Sequence, residues 1–311
     1  MASMSERPLV SVITIFLDAE RYLVEAIESV RTQTYDRWEL VLVDDGSRDG
    51  GTRIAQEYAE RFPDRIRYVE HPGHENRGMS ASRNLGIASA RGELIALLDA
   101  DDVYLPDKLS HQVALLESHP DAGAVYGTTQ YWYGWTGRPE DTARDRPRRV
   151  GFPSGSLVRP PTALARLLRD EARTPCTCGV VMRKEAVARA GGFEESFRGM
   201  YEDQVFFYKL FATSAVWIDA GCHDRYRQHP DSWCHRVQQA GEWHPSDRPS
   251  EKRRLFLEWL ETFAASHALA TPEFRAELRR QLRPYRHPLQ YRVAKVVERL
   301  RLTRRRTGPS E

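Results

Sequence analysis

The sequence predicts an α/β protein with a mostly parallel central sheet flanked by helices. Strand-sized apolar runs alternate with amphipathic stretches through the first third of the chain, as repeated βα units do. Those runs are continuously apolar rather than alternating, as strands buried on both faces must be. Acids gather where the runs end, the rim at which such sheets bind ligands.

Leu9–Leu17 is the first β-branched run, and Tyr22, Leu23, Ala26, Ile27 and Val30 then recur at helical spacing. Glu39–Asp45 reads as a second buried strand, closed by the turn DDGSRDGG. Ile54, Ala55, Tyr58, Ala59 and Phe62 mark a second helix, and Arg65–His71 a third strand. A short helix around Ser80–Ala90 precedes the fourth strand, ELIALLDAD. Beyond it, Arg138–Arg149 is an apolar-poor loop and Ala163–Leu168 a short helix. CTCGVVMRKEAVARAGGF reads as a strand, a helix and a Gly-Gly stop; Tyr201–Phe211 as a helix and AVWIDAG as a strand. From Ser250 the pattern is helical, with Leu255, Phe256, Trp259, Leu260 and Phe263 on one stripe and Val293, Val296, Val297 and Leu300 on another. There is no internal repeat.

A 41% hydrophobic and 29% charged composition is that of a globular protein, and a net charge of +2 gives no reason to expect nucleic acid. The charge is uneven. Arg275 to Arg306 carries twelve basic residues against Glu277 and Glu298. With Val293, Val296, Val297 and Leu300 opposite Arg292, Lys295 and Arg299, this tail reads either as a solvated helix face or as an interfacial helix on a membrane surface. No run approaches the ~20 apolar residues of a spanning helix, and the N-terminus lacks a signal-like apolar stretch. Four cysteines are then expected to be reduced thiols in the cytoplasm. Cys176-x-Cys178, Cys222-His223 and Cys234-His235 suggest zinc, but C-x-C is tighter than the usual knuckle, and the CTC segment reads as small packing residues.

Asp18, Asp44, Asp45, Asp99 and Asp101 all fall at strand ends. Three carboxylates around Ala100, with Asp102 the third, repel one another and call for a cation. A helix-loop-helix calcium site needs a longer loop with a central Gly and a distal Glu, and G-x-G-x-x-G and P-loop patterns are missing. A hard divalent cation shared with substrate phosphates remains, Mg²⁺ being the usual case. Strand alternation would set Asp99 and Asp101 on one side.

Four ordered motifs carry a specific resemblance: VDDGS, NRGMSASRN with the DXD stretch Asp99-Ala100-Asp101, GGFEESFRGMYEDQVF, and DRYRQHPDS. From about Leu9 to about Trp233 the chain resembles glycosyltransferase family 2 on the GT-A fold. The resemblance implies a GT-A domain over 1–235, with a nucleotide-sugar half to about 125 and an acceptor half to about 235, and a helical basic extension over 236–311.

It also implies inverting transfer of a sugar from a nucleoside diphosphate, UDP above all, with Mn²⁺ or Mg²⁺. Asp101 would bind the metal that neutralises the departing diphosphate, with Asp99 beside it on the ribose or the metal's water shell. Asp45 would accept a hydrogen bond from the base, with Asp18, Asp44 and Arg83 also on the donor side and Asn84 structural. Asp203 would be the general base toward the acceptor, kept ionised by its place near a helix N-terminus. His229 would meet the metal or diphosphate from the far side. The acceptor is a glycan, a lipid-linked sugar or a small molecule; Tyr131, Trp132, Tyr133 and Trp135 would stack on it or pack in the core.

The first strand departs from the family pattern, with Ile15, Leu17 and Asp18 where Pro, Tyr and Asn are common. A sugar nucleotidyltransferase would need a Gly- and Arg-rich loop after that strand, and a processive synthase spanning helices and Q-x-x-R-W; neither is present. A non-catalytic GT-A-like binding module would have lost the DXD acids or the Glu202-Asp203 pair, and both are kept.

Overall fold

The computed structural model describes residues 7–240, 250–267 and 271–291. The chain divides into two compact units, Met1–Arg236 and Val237–Glu311.

The first unit begins β1 (Val10–Phe16), α1 (Glu20–Arg31), β2 (Trp38–Asp44), α2 (Gly51–Arg61), β3 (Ile66–Glu70), α3 (Met79–Ser89), β4 (Leu94–Leu97), β5 (Val103–Tyr104), α4 (Lys108–Ser118). It continues β6 (Ala122–Trp132), α5 (Pro139–Thr142), β7 (Arg146–Arg148), β8 (Ser156–Val158), α6 (Thr162–Leu168), β9 (Val180–Arg183), α7 (Lys184–Ala190), α8 (Glu202–Thr213) and β10 (Ala215–Arg227). Helix α9 (Trp233–Gln239) follows at the unit boundary.

One sheet runs β3-β2-β1-β4-β9-β6-β10-β5. β1, β2, β3 and β4 are parallel neighbours, as the apolar runs require, and every residue of β1 and β2 is buried. The rest of the sheet is mixed: β6 pairs β10 in parallel, but β9 runs antiparallel between β4 and β6. A run as short as Val180–Arg183 carries no sign of its direction, so this reversal had no signature in the pattern. The Arg138–Arg149 segment is not all loop; it folds as α5 and β7, the latter pairing β6.

The α1 residues at helical spacing, Tyr22, Leu23, Ala26, Ile27 and Val30, are buried against the sheet. Leu23, Ala26, Ile27 and Val30 join one core with Val10, Val12, Leu40, Leu42, Leu94 and Ala96. α8 is buried on nearly every face from Val205 to Ala212, so its tertiary surroundings rather than amphipathicity hold it.

α4 is locked to β10 by a buried ion pair. Lys108 Nζ, 0% exposed, lies 3.1 Å from Asp224 Oδ2 and donates to Gln112 Oε1 at 3.0 Å. Gln112 in turn donates to Gly179 O at 3.1 Å, on the 3₁₀ turn Thr177–Gly179. Removing one partner leaves a buried charge uncompensated, so Lys108→Ala or Asp224→Ala alone is expected to destabilise by about 3–5 kcal/mol. The paired Lys108→Met, Asp224→Leu protein should lose much less. Urea unfolding of the three variants checks this, and single losses below ~1 kcal/mol would show the pair to be solvated.

In the second unit, α10 (Glu251–Ser266) is capped by Ser250, whose side chain accepts from Arg253 N at 3.2 Å. α11 (Pro272–Arg286) is capped likewise by Thr271 with Pro at its start. Of the expected stripe, Phe256 and Leu260 are buried, Leu255 is exposed, and Trp259 stacks on Phe263 at 5.0 Å. The stripe at Val293, Val296, Val297 and Leu300, with Arg292, Lys295 and Arg299, lies outside the described residues. Among the described residues no helix is long and apolar enough to cross a membrane.

Candidate active site

β4 hydrogen-bonds in register with β1 only as far as Leu97, and Leu98 N still donates to Ile13 O at 3.0 Å. The chain then turns, Asp102 N donating to Asp99 O at 3.0 Å. Strand alternation therefore does not place Asp99 and Asp101. They sit in a turn past the strand, where the pleat has no hold, and each carboxylate finds its own partner.

Asp99 Oδ1 accepts from Arg83 at 2.9 Å and Oδ2 from Thr177 at 2.6 Å. Asp101 Oδ2 lies 2.9 Å from His229 Nε2. Asp102 is fully buried and accepts from Arg227 N at 2.9 Å. Burial, and then the charges of Asp101 and Asp99, push its pKa well above the ordinary aspartate value, so the neutral acid is favoured there. The repulsion among three acids is thus relieved by two cationic or imidazole partners and one protonated carboxyl.

Arg227, at the end of β10, clamps the turn. Its Nε donates to Asp101 O at 2.6 Å and its NH2 to Glu25 at 2.6 Å. The guanidinium lies over Trp132 at 4.5 Å, Tyr22 at 5.0 Å and Trp135 at 5.3 Å. Two of the four aromatics thus build the wall that holds Arg227. Tyr131 packs against Tyr226 at 5.6 Å, and Tyr133 receives Arg144 at 4.1 Å.

His229 is held from behind by Tyr22, whose hydroxyl lies 3.2 Å from Nδ1 and whose ring is 4.6 Å away. A phenol both donates and accepts. Asp101 only accepts, so Nε2–H donates to its carboxylate and Nδ1 accepts from the Tyr22 hydroxyl.

Asp45, expected on the donor side, is 4% exposed, and its Oδ1 accepts from Arg77 N at 2.8 Å, Gly78 N at 3.0 Å and Ser82 Oγ at 3.0 Å. Oδ2 has only the 3.1 Å bond from Gly78 N, so Asp45 chiefly pins the NRG loop and α3 to β2. Asp44, also expected on the donor side, is 0% exposed, with Ser47 N at 2.8 Å and Thr52 Oγ1 at 2.5 Å on its oxygens. Its work is to hold the turn. Gly46 makes that turn possible, since a Cβ on its left-handed backbone (φ 84°) would sit 2.8 Å from Asn76 N. Asp18 is exposed, left-handed at φ 50°, and accepts from Arg48 N at 2.7 Å. Leu17 beside it is 45% exposed. Asn84 is structural as expected, bridging to Phe193 N and O at 2.8 and 3.0 Å.

Arg83, expected on the donor, is 3% exposed and joins carboxylates instead. It reaches from Asp99 to Glu202 Oε1, 3.6 Å away. Asp203 follows Glu202 in the first turn of α8, behind Tyr201, a buried non-glycine residue at φ 68°. Such backbone strain is typical of functional sites. The helix N-terminus does not keep Asp203 strongly acidic. Burial is the largest influence and outweighs the opposing Arg83, raising its pKa from the usual value. Glu202 is pushed up to about 7 by burial and by Asp203's charge.

Asp99, Asp101, Arg83, His229, Glu202 and Asp203 therefore form one connected group. Glu202, Arg227, Thr177 and Tyr22 belong to it without having been singled out as site residues. Only the Glu-Asp pairing and the YR-x-H segment hinted at them.

The family model described as "Glycosyl transferase family 2" matches residues 11–191. A Bacillus subtilis chain carrying the glycosyltransferase name EpsE is 44% identical over 116 residues, 37% of this chain and 41% of that one. The match thus spans less than half of that relative. Among solved structures, residues 1–349 of TarS from S. aureus with UDP-GlcNAc superimposes with TM-score 0.63 at 18% identity, covering 90% of this chain and 73% of that one. The mannosyltransferase PcManGT from Pyrobaculum calidifontis, with GDP-Man and Mn²⁺, gives 0.58 at 20% identity, covering 90% and 70%. These two show that the GT-A-like α/β fold is shared.

Proposed function

This chain belongs to glycosyl transferase family 2, and from that premise we propose that it transfers a sugar, with inversion, from a nucleoside diphosphate, UDP first, to an acceptor hydroxyl or related nucleophile. The observation that carries the reading is the pairing of Asp101 Oδ2 with His229 Nε2 at 2.9 Å, beside the Asp99–Arg83–Glu202 chain. Two ligand atoms about 2.1 Å from one ion and at right angles to each other lie about 3 Å apart, so the pair would fit one Mn²⁺ or Mg²⁺ with the ion taking the place of the Nε2 proton. Asp99, with both oxygens engaged, orients Arg83 and Thr177 in this reading and is the weaker ligand.

Such an ion would act as a Lewis acid on the departing diphosphate. The chain's own residues do the rest. Asp203 takes the acceptor's proton as its oxygen bonds to the anomeric carbon, and the bond from that carbon to the diphosphate breaks on the opposite face. A raised pKa brings Asp203 nearer neutrality and makes it a better base than an ordinary aspartate. Arg83, between Asp99 and Glu202, opposes protonation of both Glu202 and Asp203. Asp45 and the loop it pins form the base end of the donor site, with Asp18 at its exposed lip. The aromatic wall of Trp132 and Trp135 faces the acceptor. Binding of the basic tail to anionic lipid is the extension of this reading for a lipid-linked acceptor.

The test is calorimetry of the full chain with UDP, GDP, UDP-GlcNAc and GDP-mannose, with Mn²⁺ and with chelator. Binding of a nucleoside diphosphate at least about tenfold tighter with Mn²⁺ is expected, following the usual role of phosphate-bound metals. Equal affinity with chelator, or no nucleotide binding, overturns the proposal.

A further inference from the structure

We infer that His111, Asp219 and His223 bind one borderline divalent transition ion, of which Zn²⁺ is the type, at a site separate from Asp101. The inference does not depend on the sugar-transfer reading.

His111 lies one turn into α4; Asp219 and His223 lie on β10, where its register with β6 shifts between Ile218 and Cys222. Bulges of this kind re-aim side chains and recur beside sites. His111 Nε2 is 3.1 and 3.0 Å from the two oxygens of Asp219, and His223 Nε2 is 3.7 Å from Oδ2. Ligand atoms of the three residues all fall within 4.8 Å of one another. The two imidazole centroids are 4.2 Å apart.

An ordinary ion-pair cluster would leave each nitrogen with a hydrogen-bond partner. This one does not. His223 Nδ1 lies 3.0 Å from Asp107 Oδ2, so Nδ1–H donates there and the lone pair is left on Nε2. That Nε2 is buried with no hydrogen-bond partner among the described residues. A carboxylate behind a histidine whose other nitrogen points at a second carboxylate and a second histidine is the arrangement by which proteins orient metal ligands. Two imidazoles and one carboxylate suit Zn²⁺ and its neighbours rather than Mg²⁺ or Ca²⁺, and three protein ligands leave a position for water. His111 is 38% exposed, which gives the ion a path in.

The position says what the ion does. α4 begins six residues after Asp102, and β10 leads from His223 to Arg227, roughly 13 Å along an extended strand. An ion bridging α4 and β10 therefore fixes the segment behind the Asp101 turn against the strand that supplies its clamp.

The test is a Co²⁺ titration of the metal-free full chain carrying Asp101→Asn, which weakens the other ion site. We expect visible bands of low-coordinate Co²⁺ that saturate at one ion per chain, are displaced by Zn²⁺, and accompany a rise in Tm. His111→Ala, at a partly exposed helical position, should remove the bands while far-UV circular dichroism is unchanged. Asp107→Asn should weaken Zn²⁺ about 10- to 100-fold through His223. Absence of the bands, their survival in both His111→Ala and His223→Gln, or a strong near-ultraviolet band of thiolate bound to cobalt would each overturn the assignment.

Discussion

Asp101→Ala is expected to lower kcat/KM by about 10³-fold and to abolish the Mn²⁺-dependent part of nucleotide binding. The magnitude follows from the several kcal/mol that a Lewis acid contributes to a departing diphosphate, at about 1.4 kcal/mol per factor of ten. Asp101 is the acid of the turn whose carboxylate faces His229, since Asp99 is taken by Arg83 and Thr177 and Asp102 is buried against Arg227. Asp99→Ala should therefore be milder on metal dependence, and it should disturb Arg83 and the Glu202-Asp203 pair instead. Calorimetry with and without Mn²⁺ separates the two variants. Asp101→Ala protein that still binds UDP more tightly with Mn²⁺ would remove the ion from this turn.

The contrast between these acids also marks how far the sequence could be read. β1, β2 and α1 were legible because burial on both faces and helical spacing write themselves into local order. The acids at strand ends were legible for the same reason: they interrupt long apolar runs. The assignment of partners was not. Arg227 reaches Asp101 O across 126 residues and Thr177 reaches Asp99 across 78, and no local pattern reports such contacts. Asp44 and Asp45 are neighbours in VDDGS, yet alternation turns Asp44 into the protein and leaves Asp45 on the NRG loop. His223 drew notice only as the neighbour of Cys222, and nothing pointed to His111, because their meeting depends on where α4 docks against a bulged β10.

Asp203 gives the sharpest case, since two local effects compete there. A first-turn position on α8 favours the anion by up to about 1 kcal/mol. Burial opposes it and raises the pKa. Asp203→Asn is expected to cut kcat by about 10²- to 10⁴-fold, the usual contribution of a positioned base, with UDP affinity within about twofold of the parent. The pH dependence follows with a definite sign. Only the ionised base accepts the proton, so a raised pKa keeps it inactive to a higher pH, and the acidic limb of kcat/KM lies above the ~3.9 of a free aspartate. Glu202 titrates with it, its carboxyl pushed up to about 7. It is Asp203's charge that helps raise Glu202, so Glu202 is neutral while Asp203 ionises and Glu202→Gln should leave the limb in place. A limb that moves to lower pH in Glu202→Gln would show Glu202 to be the acid that ionises first. Asp203→Asn with near-parental turnover would shift the base to Glu202, whose own Gln variant would then be the inactive one.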